Sequence, residues 1–123
     1  MKDFRDLKVW ERAHSLTLDV YKATTRFPRE ELYGLTSQIR RCSASIAANI
    51  AEGCGKRGNH EFHRFLQIAS GSASELDYHL LAHDLCFLPD ADCRRMAGNL
   101  SELRKMLTSL IQKVNTDRFL AKC

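Results

Sequence analysis

Four successive stretches of the chain repeat apolar residues at alternating spacings of three and four, and little interrupts them. Pro28 and Pro89 are the only prolines among 123 residues, and the glycines sit at 34, 53, 55, 58, 71 and 98. The first stretch reads Leu7, Trp10, His14, Thr17, Tyr21, Thr24. The second reads Leu32, Leu35, Ile39, Cys42, Ile46, Asn49, Gly53. The third reads Phe62, Leu66, Ala69, Ala73, Leu76, Leu80, His83, Phe87, and the fourth Met96, Leu100, Leu103, Leu107, Leu110, Val114. Such spacing lines one face of an α-helix, and no stretch alternates with the period of two that a strand needs. The seams suit near-parallel helix packing. Short connections then make sequential helices antiparallel neighbours. The expected fold is all-α, an up-down-up-down four-helix bundle in a single domain spanning 1–123, with helices about 6–27, 31–53, 59–87 and 90–115.

The punctuation agrees. The residue before Pro28 avoids the helical region, which ends the first helix. Gly53 can close the second helix in the left-handed conformation. Asn59 and Asp90 are expected N-caps of the third and fourth helices. Trp10, Tyr21, Leu35, Ile39, Ile46, Leu66, Leu76, Leu103 and Leu107 are the expected core. The run Ser70–Ser74 around Gly71 reads as a place where another helix approaches closely.

The first helix carries a second apolar stripe: Val9, Ala13, Leu16, Val20, Ala23, Phe27. One stripe of about 100° suffices for a surface helix. The excess is either a wide core face or a subunit interface, and it motivates an expectation of self-association. Asn49 falls on a seam, and Glu75 of the third helix is a pairing candidate for Arg40 or Arg41 of the second. Orientation and register control is the reading favoured for these polar residues.

Charge is modestly positive, +4 overall. It is uneven: +4 over residues 1–60, −3 over 61–89 and +3 over 90–123. Basic residues pair up at Arg40-Arg41, Lys56-Arg57 with Arg64 close by, Arg94-Arg95 and Arg104-Lys105. Lys56-Arg57 lies in the glycine-rich stretch 53–58, which suits contact with phosphate. Any oligomer multiplies each cluster by its subunit number. Arg40 and Arg41 read as mixed, part ligand contact and part structural.

Catalytic and metal signatures are weak. His79 and His83 share a helix face, but Glu-x-x-His and His-Glu-x-x-His motifs are absent. The serines lack a strand-to-helix elbow. No phosphate-cradling glycine motif occurs, and Cys54 near His60 is thin evidence for a thiolate pair. The five cysteines include no C-x-x-C pair and read as free thiols, Cys42 as a small core residue and Cys123 as an oxidisable one. No enzyme activity, cofactor or metal is expected. No run of roughly 18 apolar residues suggests a membrane span. Met1–Asp6 alternates charge where a secretory signal needs an apolar stretch, so a cytoplasmic setting is expected.

The ordered motifs carry a resemblance. They are Phe4-x-x-Leu7-x-Val9-Trp10-x-x-Ala13, then Phe27-Pro28-x-x-Glu31-x-Tyr33-Gly34-Leu35-x-x-Gln38-x-Arg40-Arg41. Ser45-Ile46-x-x-Asn49-Ile50-Ala51-Glu52-Gly53, Phe62-x-x-Phe65-Leu66-x-x-Ala69 and Gly71-Ser72-x-x-Glu75-Leu76 follow. Over about residues 4–88 the chain resembles the bacterial four-helix-bundle proteins encoded in 23S rRNA intervening sequences. It is also similar to accessory proteins of diversity-generating retroelements. The resemblance implies a barrel-like homopentamer and association with RNA or DNA. For the retroelement relatives it also implies a reverse transcriptase partner. Cys42 departs from it, standing where the family usually has a small residue. The leading expectation is a non-enzymatic, oligomeric nucleic-acid-binding accessory protein. Its candidate contacts are Arg40, Arg41, Lys56, Arg57 and Arg64, and its structural or oligomer residues Val9, Trp10, Leu16, Val20, Phe27, Asn49 and Glu75. The alternative is a protein-interaction scaffold with nucleic acid secondary.

Overall fold

The computed structural model describes residues 3–122, with side chains as far as Thr116; Cys123 lies outside the described residues. Helices α1 (Lys8–Thr24), α2 (Leu35–Cys54), α3 (Gly58–His79) and α4 (Asp90–Lys122) form the bundle, with no strand among the described residues. α1 packs on α2, α2 on α3 and α3 on α4, and α4 closes the ring against α1. That is the up-down-up-down arrangement which short connections dictate. No described helix is long and apolar enough to cross a membrane.

The seams of α2, α3 and α4 supply the core as the periodicity requires. Ile39, Ile46, Leu66, Leu76, Leu103 and Leu107 are all essentially inaccessible to solvent. α1 is the exception. Its buried face is the second stripe, with Val9, Ala13, Leu16, Val20, Ala23 and Phe27 in the intrachain core. That stripe is therefore a core face and not an exposed subunit interface. Tyr21 is 44% exposed, and Trp10 and Leu35 are only partly buried.

Side-chain chemistry explains the rotation of α1. The aliphatic residues of the second stripe turn inward, whereas Trp10, His14 and Tyr21, with their polar edges, hold the rim. Trp10 stacks on His14, ring centres 5.0 Å apart, and meets Phe4 edge-on at 4.9 Å. The Arg40 guanidinium lies 5.0 Å from the centre of the Tyr21 ring, an attraction that leaves the ring wet. Thr17 and Thr24 follow the aliphatic residues inward because their hydroxyls are satisfied. Thr17 Oγ1 donates to the carbonyls of Ala13 at 2.9 Å or Ser43 at 3.1 Å, and Thr24 Oγ1 to that of Val20 at 2.8 Å.

Several boundaries depart from the sequence expectation, among them the end of α1 at Thr24 and of α4 at Lys122. α2 begins at Leu35 and not at residue 31, because Pro28 leads into a separate 3-10 turn, Arg29–Glu31, and Gly34 is non-helical. α2 ends one residue beyond Gly53, whose real task is close packing. A Cβ there would sit 2.9 Å from Phe65 Cβ and 3.0 Å from Phe62 Cδ1. Gly71, by contrast, has nothing within 4 Å of where its Cβ would be, so no helix approaches it.

α3 stops at His79 and passes into a 3-10 turn, Leu80–His83, well short of residue 87. The end is closed by Cys86 in the left-handed region, φ 63°. The Cys86 N–H bonds the His83 carbonyl and the Phe87 N–H the Ala82 carbonyl, both at 3.0 Å. This is the Schellman pattern, with Phe87 packing on Phe27 at 5.9 Å. Glycine normally occupies such a position, since a Cβ there costs roughly 1 kcal/mol. Cys86→Gly should therefore raise stability by about 1 kcal/mol, measured by urea unfolding.

Candidate functional site

The five candidate cationic residues separate into three places. Lys56, Arg57 and Arg64 gather at the α2–α3 turn. Lys56 Nζ lies 5.6 Å from the centre of the Phe65 ring, and the Arg64 guanidinium 4.6 Å from it. Phe65 itself is buried, so the ring anchors both cations to the fold. Arg64 also pairs with Glu61, at 3.0 and 3.1 Å. Arg57 is exposed, with no ion-pair partner among the described residues.

Arg57, not Asn59, is the N-cap of α3, and it supplies no side-chain cap. Gly58 takes φ 79° to swing the chain into the helix, a conformation glycine adopts freely. The result is an uncapped helix N-terminus, carrying the positive end of the helix dipole, beside three cationic side chains. That combination attracts anions.

Arg40 and Arg41 lie on different sides of α2, about 24 Å along the helix from Lys56 at 1.5 Å per residue. Arg40 turns to α1, where its Nε donates to Thr24 Oγ1 at 2.8 Å. It holds α2 to α1, away from Lys56, Arg57 and Arg64. Neither arginine forms an ion pair with Glu75 or Glu52 among the described residues. Arg41 instead lines a groove of about 470 Å³ between α2 and α3, with Gln38, Cys42, Ser45, Ser72 and Glu75.

The groove has an ordered polar floor. Asn49 Nδ2 donates to the Ser45 carbonyl at 2.8 Å and to Ser45 Oγ at 3.0 Å. Ser45 Oγ lies 2.9 Å from Ser72 Oγ. The Ser45–Ser72 bond crosses from α2 to α3, whereas both bonds of Asn49 return to Ser45 of its own helix.

One turn along, His79 Nε2 faces Glu75 Oε2 at 3.5 Å. Ligating atoms of Cys42, Glu75 and His79 lie within 4.8 Å of one another. His79 is buried, and its Nδ1 has no hydrogen-bond partner. Burial, with the Glu75 charge adding to it, pushes the Cys42 thiol up to about 12. Cys42 is thus protonated at neutral pH, and the thiolate is the reactive form. Alkylation of the native chain at pH 8 should label exposed Cys86 and leave Cys42 intact, read by peptide mass spectrometry.

Sequence spacing misses this cluster because it pairs His79 with His83. The change to a 3-10 turn at Leu80 parts them, and His83 Nε2 meets Asp90 Oδ1 at 3.1 Å. The signal that was available is the adjacency of the α2 and α3 seams, which places Cys42 opposite residues near Leu76.

The basic pairs of α4 are neutralised. Arg94 pairs with Asp90. Arg95 makes a two-pronged bond to Asp19 of α1, at 2.8 and 2.9 Å, and reaches Asp92 at 2.8 Å. Arg104 reaches Asp77 and Ser74 of α3, each at 3.2 Å, and Lys105 pairs with Glu102 at 3.4 Å. These contacts tie α4 to its neighbours, whereas Lys56 and Arg57 of the α2–α3 turn have no ion-pair partner among the described residues.

Residues 5–109 match the family described as 23S rRNA-intervening sequence protein. A search of curated proteins finds no match. Among solved structures, the chain is similar to a protein of unknown function from the S23 ribosomal protein family of Bacteroides thetaiotaomicron VPI-5482. The TM-score is 0.75 at 24% identity, over 84% of this chain and 97% of that one. The likeness is one of fold.

Proposed function

We propose that this chain, which belongs to the 23S rRNA-intervening sequence protein family, is a non-enzymatic accessory protein that binds RNA or DNA through phosphate contacts at the α2–α3 turn. The observation that carries the reading is the juxtaposition of Lys56, Arg57 and Arg64 with the uncapped start of α3. Each element offers positive charge or N–H donors and none reads a base edge, so recognition is independent of sequence.

Assembly strengthens this arrangement, because a ring of subunits repeats the turn around its rim. Val9, Leu16, Val20 and Phe27 are consumed by the core, so self-association falls to Leu18, Ile68, Tyr78 and Leu85, which stay exposed. The resemblance points to five subunits, and light scattering at micromolar concentration should show a closed oligomer.

The experiment is a binding titration with unrelated RNA and DNA sequences. Lys56→Ala with Arg57→Ala should weaken binding to all of them alike and leave the thermal melt unchanged. Arg40→Ala should instead lower stability, through lost contact with Thr24 and Tyr21. Unchanged affinity in the double variant favours the second reading, a scaffold for a protein partner such as a reverse transcriptase. The 94% exposure of Tyr33 beside half-exposed Leu32 supports that reading.

A further inference from the structure

We propose that Cys42, Glu75 and His79 form a binding site for one zinc-class divalent cation, which bridges α2 and α3. The inference is independent of nucleic-acid binding. Three observations carry it. The donor set is a thiol, a carboxylate and an imidazole, drawn from two helices whose separation the core fixes. Their ligating atoms already lie within 4.8 Å of one another. His79 is buried, its Nε2 faces Glu75, and its Nδ1 is one of two buried side-chain polar atoms without a hydrogen-bond partner among the described residues.

The distances suit zinc. Bonds of about 2.0–2.1 Å to nitrogen and oxygen in a tetrahedron set those two ligands about 3.3 Å apart. His79 Nε2 and Glu75 Oε2 are 3.5 Å apart. A zinc–sulfur bond of about 2.3 Å asks only a small inward rotation of the remaining pairs. Glu75 is the exposed member and can supply that movement.

Charge also balances. The bound thiolate and the Glu75 carboxylate carry two negative charges against the two positive charges of the ion, and the thiol proton leaves to solvent. Thiolate with imidazole selects zinc over magnesium or calcium, which prefer oxygen ligands. The fourth position opens towards the groove lined by Cys42, Glu75, Gln38 and Arg41, where water completes the tetrahedron.

The test uses the full chain, reduced and stripped of metal, titrated with zinc chloride by calorimetry and with cobalt(II) by absorption. One ion per chain and a thiolate-to-cobalt charge-transfer band are expected. Cys42→Ser should abolish the band. Glu75→Gln, at a side chain too exposed to threaten folding, should weaken zinc binding at least about tenfold, the loss that even an outer partner of a metal ligand causes. A variant with Cys54→Ala, Cys86→Ser, Cys93→Ser and Cys123→Ser should keep both the band and the stoichiometry. Absence of zinc binding overturns the proposal. So does a band that survives Cys42→Ser, or a zinc affinity indifferent to Glu75→Gln.

Discussion

Val20→Asp should leave the chain largely unfolded at room temperature, with the helical circular dichroism signal lost well below the melting range of the parent. Val20 is fully buried between the stripe of α1 and the rest of the core. The substitution forfeits roughly 1.5–3 kcal/mol of apolar burial. It also places a carboxylate among aliphatic side chains with no cation to pair it, which costs several kcal/mol more. Together these rival the roughly 5–15 kcal/mol that holds a domain of this kind. The outcome separates two roles that the sequence left open. A core residue takes the fold with it. An interface residue would leave a folded monomer and dissolve only the assembly. Tyr78→Arg, at a residue 70% exposed, should leave the melt nearly unchanged.

Gly53→Val should destabilise the fold strongly without introducing any charge. Even the first added carbon falls 2.9 Å from Phe65 Cβ, an atom fixed to the α3 backbone. Relief requires α2 and α3 to part, which opens the Ile46–Leu66 region of the core beside it. Overpacking of this sort costs about 1–3 kcal/mol, and valine adds two further methyl groups to the clash. Gly98→Ala is the control. Nothing lies within 4 Å of its added carbon, so the better helix former should gain up to about 1 kcal/mol. Urea unfolding of both variants measures the contrast. Equal effects would mean that the helices do not approach at Gly53.

Most of the fold was legible because the seams of α2, α3 and α4 each face the core. Ile39, Ile46, Leu66, Leu76, Leu103 and Leu107 lie on them, and all are buried. α1 was ambiguous because two stripes obey the same spacing. What decides between them is the polar edge of Trp10, His14 and Tyr21, a property that counting apolar positions ignores. The end of α3 was illegible for a different reason. Its left-handed residue is Cys86, and no glycine marks the place.

The site was readable in part. Lys56, Arg57 and Arg64 are close in sequence, and Lys56 and Arg64 both lie over the Phe65 ring. Arg40 and Arg41 are adjacent in sequence, yet successive helical residues point about 100° apart, so one faces α1 and the other the α2–α3 groove. The partners of Arg95 and Arg104 could not be read along α4, because Asp19 and Asp77 belong to other helices. The Cys42–Glu75–His79 cluster required the register of α2 against α3, which neither seam specifies alone.

The most direct test of nucleic-acid binding at the α2–α3 turn is the salt dependence of affinity for a short DNA duplex. Each neutralised phosphate releases condensed counterions and contributes about 0.9 to the slope of log K against log salt. The parent should show a steep linear fall. Loss of Lys56 and Arg57 should flatten the slope by about one for each contact removed. Affinity that ignores salt, or an identical slope in the Lys56→Ala, Arg57→Ala variant, would contradict phosphate contact at this turn.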